Sequence, residues 1–458
     1  MNTLQTLADN KLVRYLILIL ISIAGVAGYM AAEVLFSMEK TLIDVNGLYQ
    51  VTDAEYATLA GSYSLLVVFG GVLILGGLFI DKCGLRISGI VSSLILVVGA
   101  GLVAYSMFDL RILMEQGVDI PVIHFLGTQV RKPILYGILG FALFGAGSEI
   151  IGVVQTKVLS KWFDGKELAI ALAVQIAISR VGIGLTYGLT PYIVSLYNGN
   201  VSVPMMITVG FLILGLLLYL AYCICDRKLD NQFKAIGKAE VMTEEAFNWS
   251  DLKSIVRSAP FWAVCIICCF FYGSVKMFDK YSTGFMSSQL GIAQASEGLF
   301  TMTSCLTIAV VTPLLGILVH KKGRSLDFLI AGSLLATIDF ILLDWVQLSQ
   351  PLFYCVYVLN GLSFSFIAAA LWPLVPRILD LAVQGTGFAV VFLFQNIMFL
   401  IVPKFVEAIG INEPHFVLVF AILALISTAV SLIFKMTDRK RNWGLNLPEP
   451  QEEVAQAS

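Results

Sequence analysis

Long apolar runs alternate with short polar connections along this chain, and the runs recur at the length needed to cross a bilayer. A hydrocarbon core about 30 Å thick takes about 20 apolar residues in helical form. Such runs fall near residues 13–37, 57–80, 87–108, 133–157, 167–196, 203–225, 260–288, 297–319, 326–346, 351–378, 383–410 and 414–436. The pattern predicts an all-α membrane protein with twelve transmembrane helices. The first run is too long for a cleaved signal peptide and is read as a retained helix. A longer polar stretch, Arg227 to Ser258, mixes Lys228, Lys234, Lys238, Glu240, Glu244 and Glu245 as a solvated linker helix does. It divides the chain into a six-helix bundle at 1–226, a linker at 227–258, a second six-helix bundle at 259–440 and a tail at 441–458.

Composition excludes the soluble alternatives. Of 458 residues, 58% are hydrophobic and 13% charged. A soluble chain would carry about 25% charged residues to cover its surface. So much apolar surface cannot stay disordered in water either. The net charge of −2 offers no basic field for nucleic acid.

Charge placement predicts the orientation. Twelve spans put both termini on one face, whose connections collect twenty-one of the Lys and Arg residues. The opposite loops hold five and the spans three, so the termini are expected in the cytoplasm. One outer connection, between spans three and four, carries Arg111, Arg131 and Lys132, with Asp109, Glu115 and Asp119 to balance them. The eight cysteines lie mostly in apolar runs and read as small core residues. Cys265, Cys268 and Cys269 imitate a CxxC pattern without a partner pair or histidine nearby. His124, His320 and His415 fall in connections, so no metal and no cofactor is expected.

The two halves share a local pattern. Residues 77–86 read GLFIDKCGLR and residues 316–324 read GILVHKKGR, at the connection after the second span of each half. This is an internal repeat of the kind from which secondary transporters are built. Gly77, Asp81, Lys82, Gly84 and Arg86 resemble motif A of the major facilitator superfamily, G-x-x-x-D-[RK]-x-G-[RK]-[RK]. The resemblance covers essentially the whole chain and implies two pseudo-symmetric six-helix bundles rocking about a central site. It also implies a gating turn whose carboxylate caps a neighbouring helix end. The second copy has His320 in place of the Asp, so no gate carboxylate is expected there. A narrower resemblance is visible as well. GAGSEIIGVVQTKVLSKWFDGKELAIALAVQIAISRVG (145–182), ALWPLVP (370–376), QGTGF (384–388) and Gln395–Asn396 look like the lysosomal dipeptide transporter branch. That likeness implies small peptides as substrate.

Ionisable residues inside the spans are the candidates for function, because each costs about 2.5–3.5 kcal/mol or more at mid-bilayer unless it faces a cavity. Glu149 lies 15 residues before Asp164 and Arg180 lies 16 after it, so both sit roughly 22–24 Å from the turn, at one depth on antiparallel neighbours. Such a pair can hold a zwitterion, Glu149 taking an ammonium and Arg180 a carboxylate. The alternative is a structural ion pair that closes on itself. The dipeptide branch carries a Glu and an Arg at matching positions, and the resemblance therefore implies substrate contact. In span seven, Lys276 could neutralise a substrate carboxylate and shares a helix face with Asp279, whereas Lys280 is expected to snorkel outward. Glu33 and Asp339 are expected near headgroups or water. Tyr29, Gln175, Asn360, Trp372, Gln395 and Asn396 complete the substrate-site candidates, the amides offering both a donor and an acceptor.

The chain is thus expected to be a secondary transporter of small zwitterions, dipeptides by resemblance, working as a monomer in the lipid bilayer. An accessory subunit stays open. The competing transport reading is a proton-coupled or exchange carrier of small organic anions such as monocarboxylates. Span one reads AGYMAAEVLFSMEK and lacks the ExxER motif of proton-coupled peptide carriers, which leaves uniport open. No nucleophile–base constellation suggests an enzyme. The expected location is a cell (inner) membrane, with a lysosomal membrane as the alternative.

Overall fold

The computed structural model describes residues 6–448 apart from 126, 164–166, 236–251, 291–293, 346–348, 381–382 and 410–414. Span one is Lys11–Glu33, span four Lys132–Phe163, span five Leu168–Leu196 and span six Ser202–Ala235. In the second half, spans seven to twelve are Ala259–Leu290, Gln294–Lys322, Ser325–Trp345, Gln350–Ile378, Gln384–Ile409 and Leu418–Arg441. Among the described residues, eleven helices are long and apolar enough to cross a membrane. Span two accounts for the difference from twelve. It is built from Asp53–Gly61, a 3-10 turn at Ser62–Ser64, Leu65–Val68 and the start of Val72–Glu115. Gly71 is left-handed at the break, with φ 59°. Gly84, at φ 80° and ψ 163°, bends Val72–Glu115 where span two gives way to span three.

Span six runs past residue 226 as far as Ala235, burying Leu229 and Phe233, so the start of the expected linker is a helical extension of the first bundle. Residues 236–251 of that linker lie outside the described residues.

The repeat is visible as packing. Gly77 has no room for a Cβ, which would come 2.9 Å from Ala389 and 3.0 Å from Thr386 in span eleven. Its counterpart Gly316 meets Ala173 of span five at 2.5 Å. Each half therefore sends the glycine of its repeat into the seam against the other half. The turns differ in what holds them. The second turn is fastened by the residues that follow span twelve. Arg324 donates its backbone N–H to Asn446 O at 2.8 Å, and the Asn446 side chain accepts from Leu326 N at 3.0 Å, capping span nine. Arg377 grips Gly444 O and Leu445 O, and Leu445 is buried. Leu7, for its part, donates to Gln232 at the end of span six. Both ends of the described chain thus lie on one face, as an even number of crossings requires.

The opposite face holds an element that the hydropathy pattern did not foresee. Val122–Phe125 and Thr128–Arg131 form an antiparallel hairpin between spans three and four. Of the basic residues in this connection, Arg111 pairs with Glu115 and Arg131 with Glu55, both at 2.7 Å. Glu55 in turn completes a capping box with Thr52, outside the membrane and two residues ahead of the apolar run that begins at residue 57. Burial works to raise the Glu55 carboxyl, but the Arg131 guanidinium and the amides of Arg131 and Thr52 outweigh it and hold it below the ordinary glutamate range. A carboxylate lowered on folding adds stability that is complete above that range and is lost as pH falls through the folded value. Acidification should therefore lower the melting temperature more steeply in the wild type than in Glu55→Gln. Equal slopes would place the acid sensitivity elsewhere.

Candidate substrate site

A cavity of about 170 Å³ lies between the halves, reached by residues of spans one, two, four, five, seven, eight, ten and eleven. Span four brings Glu149 to its wall and span five brings Arg180, at 6% and 7% exposure. The two do not form an ion pair with each other among the described residues. Glu149 accepts from the Tyr63 hydroxyl at 2.9 Å through Oε1, while its Oε2 has no hydrogen-bond partner among the described residues. Arg180 lays its guanidinium over the Phe364 ring of span ten, 4.2 Å from the centroid, and its Nη1 has no hydrogen-bond partner among the described residues. The two side chains are thus held separately, by an aromatic hydroxyl and an aromatic face, each with a polar atom left over. The self-closed structural pair is not what the geometry shows.

Most of the other candidates converge here. Tyr29, Gln175, Lys276, Trp372 and Gln395 line the same cavity. Gln175 donates to Gln155 at 3.1 Å, and Gln155 occupies the space that a side chain at Gly25 would need. Trp372 donates to Tyr272 at 3.0 Å, and the Gln395 Oε1 has no protein partner. Asn360 and Asn396 depart from expectation, for neither is on the wall. Asn360 is buried and accepts from Ser304 at 3.2 Å. Asn396 accepts from Ser64 at 3.2 Å and donates to Phe392 O. Both tie helices together, as buried amides in membrane bundles do.

Of the charges of span seven, Lys276 lines the cavity and pairs along the helix face it shares with Asp279, whereas Lys280 departs from expectation. Lys276 is spoken for by Asp279, at 2.9 Å. Lys280 does not snorkel; it lines the cavity, its Nζ 4.5 Å from the Phe36 ring centroid and 5.3 Å from that of Phe399. Glu33 lines the cavity too, accepting from Tyr187 at 2.9 Å. Asp339, expected near headgroups or water, is fully buried and off the wall. Tyr63, Gln155 and Phe364 were not among the sequence candidates. Gln155, six residues after Glu149, carried a polar signal inside an apolar run, but nothing set Tyr63 or Phe364 apart from the other aromatics.

Toward the face bearing the termini, the first repeat packs against span eleven across the seam. Asp81 is buried, pairs with Lys157 of span four at 2.6 Å, and accepts from Thr386 N at 3.0 Å and Thr386 Oγ1 at 2.7 Å. The acceptor sits at the N-terminus of span eleven, where its charge also suits the helix dipole. Gly385 makes the approach possible, since a Cβ there would lie 2.2 Å from Asp81 Oδ1. Lys82 is exposed at the bend formed by Gly84, and Arg86 pairs with Asp230 of span six at 2.9 Å.

The Major Facilitator Superfamily family model matches residues 12–403. The chain belongs to the major facilitator superfamily. It is accordingly a multi-pass membrane transporter and not an enzyme. Among characterised relatives, the lysosomal dipeptide transporter MFSD1 of Bos taurus is 24% identical over 410 residues, covering 86% of this chain and 79% of that protein. MFSD1 of Danio rerio is 24% identical over 458 residues, covering 96% and 90%. The solved proton:xylose symporter XylE, bound to 6-bromo-6-deoxy-D-glucose, superposes with a TM-score of 0.68 at 13% identity, covering 92% of this chain and 95% of that one. That likeness shows the superfamily fold.

Proposed function

We propose that this transporter carries small zwitterionic solutes, dipeptides first among them, by alternating exposure of the central cavity. The observation that supports this reading is the separation of Glu149 and Arg180. Two buried side chains of opposite charge line one cavity, form no ion pair with each other, and each keeps a polar atom without a hydrogen-bond partner among the described residues. An ammonium and a carboxylate on one small molecule would satisfy both. The MFSD1 relatives, named as dipeptide transporters, support the same substrate class. Asp81, Lys157 and Thr386 would act as the gate on the terminal face, closed in this conformation, with Gly77, Lys82, Gly84 and Arg86 forming the turn that carries it. The lysine and arginine bias makes this the cytoplasmic face. A C-terminal tag that an impermeant protease cuts on intact cells would reverse that orientation.

Thermal-shift screening of the purified protein against dipeptides, free amino acids and monocarboxylates tests the substrate class. A ligand at 100 times its dissociation constant stabilises by about 2.7 kcal/mol, which is readily measured. Dipeptides should shift the melting curve. A shift with monocarboxylates and none with dipeptides would identify an organic-anion carrier instead.

A further inference from the structure

Arg180 belongs to the first half, but the surface on which it rests belongs to the second. Phe364 is 1% exposed and held from several sides. Its ring lies 5.5 Å from Tyr272 in an edge contact and 6.3 Å from Phe271. Tyr272 in turn accepts from Trp372, whose ring stacks on Phe392 at 5.0 Å. The Phe364 face is therefore a rigid platform anchored in spans seven, ten and eleven. Two cations use it. Arg180 lies 4.2 Å from the centroid and Lys276 lies 5.5 Å from it. Lys276 has Asp279 as its counter-ion, whereas Arg180 has no carboxylate among the described residues, and this ring contact is what holds its guanidinium.

We propose that Phe364 is the positioning residue for carboxylate binding: its ring fixes the plane of the Arg180 guanidinium so that Nη1 is presented to the ligand. Resting on the zwitterion reading above, this assigns the carboxylate end to a composite of both halves. A guanidinium binds a carboxylate best when its planar fork is oriented beforehand, because ordering a free arginine side chain costs entropy on each binding event. A cation–π contact supplies that order without occupying the hydrogen-bonding edge. The platform also crosses the seam, so a ligand carboxylate captured by Arg180 is held against the second half from the moment it binds.

Phe364→Leu and Phe364→Tyr separate positioning from simple packing. Dissociation constants are measured for a dipeptide and for its C-terminal amide, which keeps the ammonium and lacks the carboxylate. Phe364→Leu should weaken the free acid by between about 2-fold and 30-fold, the range spanned by cation–π contacts. It should leave the amide nearly unchanged, and Phe364→Tyr, which keeps a ring face, should restore wild-type preference. Equal weakening of acid and amide would overturn the proposal and leave Phe364 a packing residue. If the wild type binds monocarboxylates and no dipeptide, the zwitterion reading fails while the same comparison of acid with amide still tests Phe364. A ligand-free check runs beside it, a double-mutant cycle of Phe364→Leu with Arg180→Met on thermal unfolding. Non-additive losses support the contact, and additive losses contradict it.

Discussion

Replacing Glu149 by glutamine should abolish most binding of a free dipeptide while sparing its N-acetylated form. The carboxylate is buried in the cavity wall, and the Tyr63 hydroxyl donates to Oε1. An amide in its place still accepts that hydroxyl but offers no charge to an ammonium. Truncating one partner of a desolvated charge pair costs about 2–5 kcal/mol, so affinity should fall at least about thirtyfold. The acetylated ligand has no positive end and loses little. Arg180→Lys should be nearly as damaging, because an ammonium cannot reproduce the bidentate fork or its seat on Phe364. Uptake of both ligands by both variants in proteoliposomes is the measurement. If the free and blocked dipeptides lose equally in Glu149→Gln, Glu149 does not bind the ammonium.

The second large effect is expected at the seam. Asp81→Asn removes a negative charge that Lys157 shares at 2.6 Å in surroundings where the lysine side chain is only 2% exposed. Both residues belong to the first bundle, so the two conformations are told apart by span eleven, whose Thr386 donates twice to the Asp81 carboxylate across the seam. Weakening charge-assisted hydrogen bonds worth about 1.5–3 kcal/mol each shifts the balance between closed and open states by at least about tenfold. Thr156 lines the cavity. A cysteine placed there, in a background without the exposed Cys83 and Cys355 and the cavity-lining Cys305, should react with an impermeant maleimide from the terminal face much faster in Asp81→Asn. An unchanged rate in the folded variant would mean that the seam is held shut by packing, such as that of Gly77 on Thr386 and Ala389, and not by these hydrogen bonds.

Much of this architecture was legible because lipid leaves the backbone few choices. Helical runs of bilayer length, their even number and the repeat at Gly77 and Gly316 all follow from local composition and spacing. The matching depth of Glu149 and Arg180 followed from helix rise alone. What resisted were features decided by partners far along the chain. Span two is interrupted at Gly70–Gly71, which hydropathy averages over. The Val122–Arg131 hairpin is too short to show a strand period. Lys276 and Lys280 differ only in which neighbour each meets, Asp279 for one and the rings of Phe36 and Phe399 for the other. Asn360 and Asn396 carry the same chemistry as Gln395, yet they point at other helices because rotation about a helix axis is not encoded in depth.

The fastening of the second repeat turn by Asn446 has a consequence for how the protein is made. Span nine begins at Ser325, but the side chain that caps it arrives 120 residues after the Leu326 amide it serves. Throughout synthesis of spans nine to twelve, the amides of Arg324 and Leu326 must be served by water or headgroups. The second bundle can then reach its final form only after residue 446 has left the ribosome. A nascent chain stalled before residue 446 would carry all of its membrane crossings and still present an unfinished turn to the quality-control machinery of the cell.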